Sequence, residues 1–128
     1  MINNKIRELL SLLDEKTKVG KIEWQSTNRK SEFITSFGNS FVTIDRYVHS
    51  FKAAGVEIPE DQLRLQNYIP DMIEVSIRDD KGKVIEQIFI KRQDPLFVSI
   101  DLLYELIKRS ISKADIYIEE ILKKLKDQ

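Results

Sequence analysis

The chain has 128 residues, 41% of them hydrophobic and 33% charged, with 21 basic residues balancing 21 acidic ones. This composition belongs to one folded domain with a real core, and it excludes a disordered chain, a membrane bundle and a strongly basic nucleic-acid binder. The absence of cysteine excludes disulfides, thiolate nucleophiles and Cys-based zinc or iron–sulfur sites.

The first helix is expected over residues 3–18. Ile6, Leu9, Leu10 and Leu13 keep helical spacing, Asn3 or Asn4 can cap the start, Lys16 and Lys18 suit the negative end, and Gly20 supplies a left-handed stop. This stretch has no long apolar run and carries acids among its leucines, so it does not read as a signal peptide, and a cytoplasmic location is expected. Residues 21–27 alternate Ile22, Trp24 and Ser26 against Glu23 and Gln25, the pattern of a short strand or an extended linker. The same alternation sets Trp24 on an apolar face, as a core residue rather than a contact anchor.

Two hairpins follow. Gly38-Asn39 between Phe33–Phe37 and Ser40–Val48 is a two-residue turn, which pairs Phe33 with Ile44, Thr35 with Val42 and Phe37 with Ser40. The second joins Met72–Arg78 to Lys83–Ile90 through Asp79-Asp80-Lys81-Gly82, a type I turn closed by glycine. Phe33, Phe37, Val42, Ile44, Ile73, Val75 and Ile77 are expected to share the buried face, with Glu74, Ser76 and Arg78 on a wet one. The last strand is apolar on both faces, Val84, Ile88 and Ile90 opposing Ile85 and Phe89, which points to a central or covered position. Between the hairpins, residues 48–71 form a long connection in which Pro59 can open one helical turn.

Residues 99–126 read as one amphipathic helix capped by Ser99. Leu103, Ile107, Ile111, Ala114, Ile118, Ile121 and Leu125 recur every three or four residues. Such a helix is about 40 Å long, more than a four-stranded sheet is wide. Its end, around Ile118, Ile121, Leu122 and Leu125, should overhang the core. Leu102, Leu106, Ile116 and Tyr117 widen its apolar surface. The N-terminal helix could cover the overhang; otherwise a second copy or another protein must. The whole, residues 1–128, is expected to be a single α+β domain of two layers: a four-stranded antiparallel sheet of two hairpins, flanked by an N-terminal helix and a long C-terminal helix.

Chemistry-bearing residues are sparse. His49 is the only histidine and has no companion ligand or nucleophile motif. Asp71 and Asp79-x-Lys81 resemble the acids and lysine of metal-dependent nucleases, yet a strand separates them by roughly 25 Å. The basic doublets Arg29-Lys30, Lys91-Arg92 and Lys108-Arg109 have acids close by and read as solvated surface. No catalytic, cofactor-binding or metal-binding residue is therefore assigned, and neither a nucleic-acid partner nor a membrane is expected. The expected role is non-enzymatic binding or assembly, a homodimer or a docked protein partner, through the long C-terminal helix. The rival is a small enzyme or enzyme accessory with a site under the 48–71 loop, for which Asp45 and Glu57 are the acids available.

Gly20-Lys21-Ile22-x-Trp24-x-x-Thr27, Asp79-x-x-Gly82 before Lys83-Val84-Ile85, and Leu103-Tyr104-Glu105-Leu106-x-Lys108-Arg109 leading to Ile118-x-x-Ile121-Leu122 resemble a group of small uncharacterised bacterial proteins. The resemblance covers most of the chain apart from residues 48–71. It implies a freestanding helix, antiparallel sheet, helix domain, with no catalytic residues to carry over.

Overall fold

A computed structural model describes residues 3–112 and 114–128, the side chains of Asp61, Arg64, Ala114 and Asp115 lying outside the description. The helices are α1 (Asn4–Lys18), α2 (His49–Ala53), α3 (Glu60–Leu65), α4 (Phe97–Ser112) and α5 (Ala114–Lys126), and the strands are β1 (Gln25–Ser26), β2 (Glu32–Phe37), β3 (Ser40–Tyr47), β4 (Met72–Arg78) and β5 (Val84–Lys91). The α+β class stands, but the antiparallel sheet has five strands in the order β1-β2-β3-β4-β5 rather than four. The added strand is the segment around Trp24, where Gln25 pairs with Ile34 and Ser26 with Phe33.

Local chemistry explains the ends of the elements. Asn3 Oδ1 accepts the Ile6 N–H at 2.9 Å and starts α1. In the first hairpin Phe33 pairs with Ile44, Thr35 with Val42 and Phe37 with Ser40, as the turn predicts, and Gly38 takes the positive φ of 61° that this turn demands. In the second, Asp79 Oδ1 accepts the N–H groups of Lys81 and Lys83, and Gly82 closes the turn. The last helix begins at Phe97, two residues before Ser99. Ser99 therefore sits inside the first turn, its hydroxyl donating to the Leu96 carbonyl. The predicted single helix is seen as α4 and α5, and its junction at position 113 lies outside the described residues.

The core lies between the sheet and α1 with α4. Leu10, Leu13, Trp24, Phe33, Val42, Ile44, Ile73, Val75, Ile88 and Ile90 pack there with Phe97, Ile100, Leu103, Tyr104 and Ile107. Trp24 is buried, as its alternation predicts, and its indole N–H donates to Thr17 Oγ1 at 3.0 Å. Two of the residues expected in this layer depart from it: Phe37, beside the hairpin tip, is exposed, and Ile77 is half-buried. We expect Val75→Ala to cost about 1–3 kcal/mol from lost buried methyls, read as a lowered urea midpoint against the exposed control Ser36→Ala. Equal midpoints would refute the assigned face.

Two expectations about the sheet are corrected. The face carrying Glu74 and Ser76 is not wet: Ser76 is only 1% exposed, because a polar cluster and α2 cover it. And β5 is an edge strand, neither central nor covered, with Phe89 and Ile85 standing exposed on its outer face. It is the last strand of a meander, and the chain leaves it for α4, so no further strand remains to pair with it. Its open edge is blunted in two ways. The pairing with β4 shifts between Ile77↔Glu86 and Arg78↔Val84, leaving Ile85 as the bulged residue. At the other end Asp94 accepts the Lys91 N–H on its side chain and donates its own N–H to the Lys91 carbonyl.

Candidate functional site

Successive residues of a strand point to opposite faces, and at the end of β3 that alternation separates two charged clusters. Arg46 follows Val42 and Ile44 on the helix-facing side, whereas Asp45 and Tyr47 face the other way. The 48–71 segment leaves the strand there and grips both faces.

On the helix-facing side Arg46 is nearly fully buried. It donates Nε and Nη2 to the two carboxylate oxygens of Glu60, both at 2.8 Å, Nη1 to Asp101 at 2.8 Å and Nη2 to Glu105 at 2.6 Å. Its guanidinium also lies 4.2 Å from the centre of the Tyr104 ring. The planar fork suits this task, since it takes one carboxylate bidentately and still reaches two more. Lys108 adds a second cation on Glu60 at 2.9 Å. Burial would raise the Glu60 carboxyl, but the hydrogen bonds from Arg46 and Lys108 hold it below the usual carboxylate range. Burial opposes the charge on Arg46 as well, and here again the bonds win, so the guanidinium stays charged at any accessible pH. Two clefts flank the network. One, of about 490 Å³, is lined by Lys30, Ser31, Glu57, Glu60, Tyr104 and Lys108 among others; the other, of about 220 Å³, lies between Tyr68, Ile69, Arg92, Asp101 and Glu105.

On the outer face Asp45, 2% exposed, accepts on Oδ2 from Arg29 at 3.0 Å and Lys52 at 3.3 Å. Its Oδ1 makes no hydrogen bond among the described residues. The ammonium group of Lys52 also reaches Glu74 at 3.1 Å and lies 4.0 Å from the centre of the Tyr47 ring. Glu74 collects further bonds from the Tyr47 and Ser76 hydroxyls and from the Gln87 amide. Burial would raise the Glu74 carboxyl, and Lys52, Tyr47 and Ser76 hold it low instead. The Tyr47 phenol is pushed up, by burial first and then by the charge of Glu74.

The 48–71 connection is thus a clamp, with Lys52 closing on one face and Glu60 on the other. Its own interior is ordered by Leu63, which is buried, and by an edge-to-face contact of Phe51 with Tyr68 at 4.9 Å. Every cation named in the two clusters is engaged by a carboxylate. The chemistry they can do as they stand is structural: they hold a long connection against both sides of a sheet end.

Of the residues singled out in the sequence, His49, Asp71, Lys91 and Arg92 line one open cleft of about 780 Å³, and the others lie apart from it. His49 is exposed at the start of α2, its backbone N–H bonded to Asp71 Oδ1. Asp71 and Asp79 stand at opposite ends of β4. Glu57 lines a cleft with Arg29 and Lys52, the two cations on Asp45, and the basic doublets divide: Arg29 on Asp45, Lys108 on Glu60, and Arg92 on the Pro70 carbonyl and over the Phe97 ring. Sequence reasoning missed the Arg46 network. The available signal was Arg46 itself, a charge two places after Ile44 on an otherwise apolar face, where an unpaired arginine would not be tolerated.

The C-terminal residues remain together. Ile118, Ile121, Leu122 and Leu125 all lie on α5 and are 44–59% exposed, and Tyr117 and Ile116 are exposed beside them. The substantial contacts of α5 are with α4. α1 packs against α4 and buries Leu10 and Leu13 in the sheet core, so it is engaged at the core rather than laid along α5.

Comparison with family models, with curated proteins and with solved structures finds no match. The likeness carried by the Gly20-Lys21-Ile22 and Leu103-Tyr104-Glu105 motifs therefore rests on those residues alone. No helix among the described residues is long and apolar enough to cross a membrane.

Proposed function

We propose that the chain is a non-enzymatic assembly module that associates with a second copy of itself through α5. The observation that carries this reading is the exposure of Ile118, Ile121, Leu122 and Leu125 on one projecting helix. A contiguous apolar stripe of that kind on a water-soluble domain marks a partner surface. A two-fold symmetric pair is the commonest way for a chain to cover such a stripe.

The rival reading, an enzyme with a site under the 48–71 loop, has two observations in its favour, the Oδ1 of Asp45 with no partner among the described residues and a cleft of about 150 Å³ lined by Arg29, Tyr47, Lys52 and Glu57 among others. Against it, Arg29 and Lys52 hold the other oxygen of that carboxylate.

Sedimentation equilibrium across micromolar concentrations tests the assembly reading. The expected result is a species of about twice 15.0 kDa that shifts toward the single-chain mass on Ile121→Lys. Ile121 is more than half exposed, so at chain concentrations well below the dissociation constant, where pairing adds nothing to stability, the variant should unfold at the same urea concentration as the parent, which separates lost association from lost folding. A single-chain mass at every concentration refutes the reading.

A further inference from the structure

From the order of charges along α5 we infer that the two copies pair antiparallel, with the two-fold axis near Leu122; this inference rests on the self-association proposed above. Of the charged residues in the last two turns and a half of α5, Glu119 and Glu120 come first and Lys123, Lys124 and Lys126 follow. Helical spacing puts three of them on the borders of the apolar stripe and leaves Glu120 and Lys123 on the back of the helix. Glu119 and Lys126, seven apart, line one border, and Lys124 lies on the other.

In an antiparallel two-fold pair each border faces the same border of the second copy running the opposite way. With the axis near Leu122, Glu119 then meets Lys126 of the second copy. This pair occurs twice. The same placement sets Ile118 against Leu125 of the second copy and gathers Ile121 and Leu122 about the axis. A parallel pair sets the two borders against each other at the same level, placing Lys124 beside Lys126 of the second copy and leaving Glu119 without a cation. Like charges so placed repel, so charge selects the antiparallel orientation from two arrangements that bury the same apolar residues. The acid-first order also suits the helix dipole, but the dipole leaves the apolar stripe between the borders without an occupant. A second copy supplies one. The 13 residues of α5 span about 20 Å, which places the contact at the small end of specific interfaces.

The chain's lack of cysteine makes the orientation directly readable. Ile118→Cys and Leu125→Cys are each prepared as single variants at exposed positions, then oxidised mildly, separately and as an equal mixture. Antiparallel pairing brings position 118 of one copy to position 125 of the other. It leaves identical positions roughly 10 Å apart along the axis, beyond disulfide reach. The expected result is a disulfide-linked species of twice the chain mass in the mixture, and its loss in either variant alone. Linkage in each variant alone would overturn the antiparallel orientation while leaving self-association standing. Linkage in none, with wild type still dimeric by sedimentation, would overturn α5 as the contact. A wild type that sediments at the single-chain mass throughout removes the underlying reading and this inference together.

Discussion

Arg46→Met is expected to destabilise the domain by about 3 kcal/mol, the lower end of what breaking a buried ion pair from one side costs. The argument turns on what the substitution leaves behind. Glu60 loses both of its bonds to the guanidinium and among the described residues keeps Lys108, in a position where its side chain is 13% exposed. Asp101 and Glu105 also lose their bonds to the guanidinium, but with side chains 38% and 44% exposed they can turn to water, and this relief keeps the effect from the upper end. Urea midpoints measure it. Adding Glu60→Gln to Arg46→Met should recover part of the loss, because a neutral amide is less costly to leave half-satisfied than a carboxylate. If the double variant is less stable by the full sum of the two single effects, the two residues do not act as a pair.

The same bonds fix the sign of an acid response. Burial would raise the Glu60 carboxyl, yet Arg46 and Lys108 hold it below its unfolded value, so near that value the unfolded chain binds more protons than the folded one. The stabilisation is present above about pH 4.3, the value of a free glutamate, and is lost as pH falls through the lower, folded value. Glu74 is depressed in the folded state for similar reasons and contributes in the same direction, so the informative quantity is the difference between wild type and Arg46→Met. With its main cation removed, Glu60 rises, and the variant should lose less stability than wild type over roughly pH 5 to 3. Parallel pH profiles for the two proteins would show that Glu60 does not depend on Arg46.

What the sequence made legible follows from how far each signal reaches along the chain. The register of the first hairpin was readable because its turn specifies it over ten or so residues: Gly38 supplies the positive φ, so Phe33 opposite Ile44 follows from counting, whereas at the second hairpin the sequence located the turn, Asp79 with Gly82, but not the bulge at Ile85 that shifts the pairing. The capped α1 was readable for the same reason. The position of β5 was not. Its double-sided apolar pattern argued for an inner strand, yet order within a sheet depends on where the chain goes next, and after Lys91 it turns at Asp94 into α4. The expected wet face of β4 failed because its cover comes from Lys52, 22 residues before Glu74 in the chain. The Arg46 network was hardest of all, since its carboxylates lie 14, 55 and 59 residues away. A core-facing arginine announces that partners exist, but only the packing of α3 and α4 against β3 says which. The α5 stripe was visible because amphipathicity is local, whereas its exposure required knowing that α1 is spent on the sheet and α4.

Tyr104→Ala is expected to cost about 3–5 kcal/mol, the range for removing a large buried ring, and Tyr104→Phe about 1 kcal/mol. Tyr104 is 1% exposed and stands where α4 crosses the strands. Its ring packs on Phe33 with centroids 5.3 Å apart and lies under the Arg46 guanidinium, and its hydroxyl donates to the Ser31 carbonyl at 2.7 Å. The phenylalanine variant keeps both ring contacts. It removes one donor from a carbonyl that still accepts the Arg46 N–H at 3.4 Å, which is why its effect should be small. The alanine variant opens a cavity beneath a buried cation and loses the cation–π contact as well, so part of its cost should vanish when Arg46 is already methionine, a coupling of about 0.5–2 kcal/mol. Urea midpoints of the four proteins in that cycle give the coupling, and a value of zero would mean that the guanidinium is held by its carboxylates alone. Association offers an independent reading of the same residue. Tyr104 anchors α4 to the strand layer and touches nothing on the exposed stripe of α5, so Tyr104→Phe should shift the urea midpoint yet leave the sedimentation behaviour of the folded protein unchanged, the converse of Ile121→Lys.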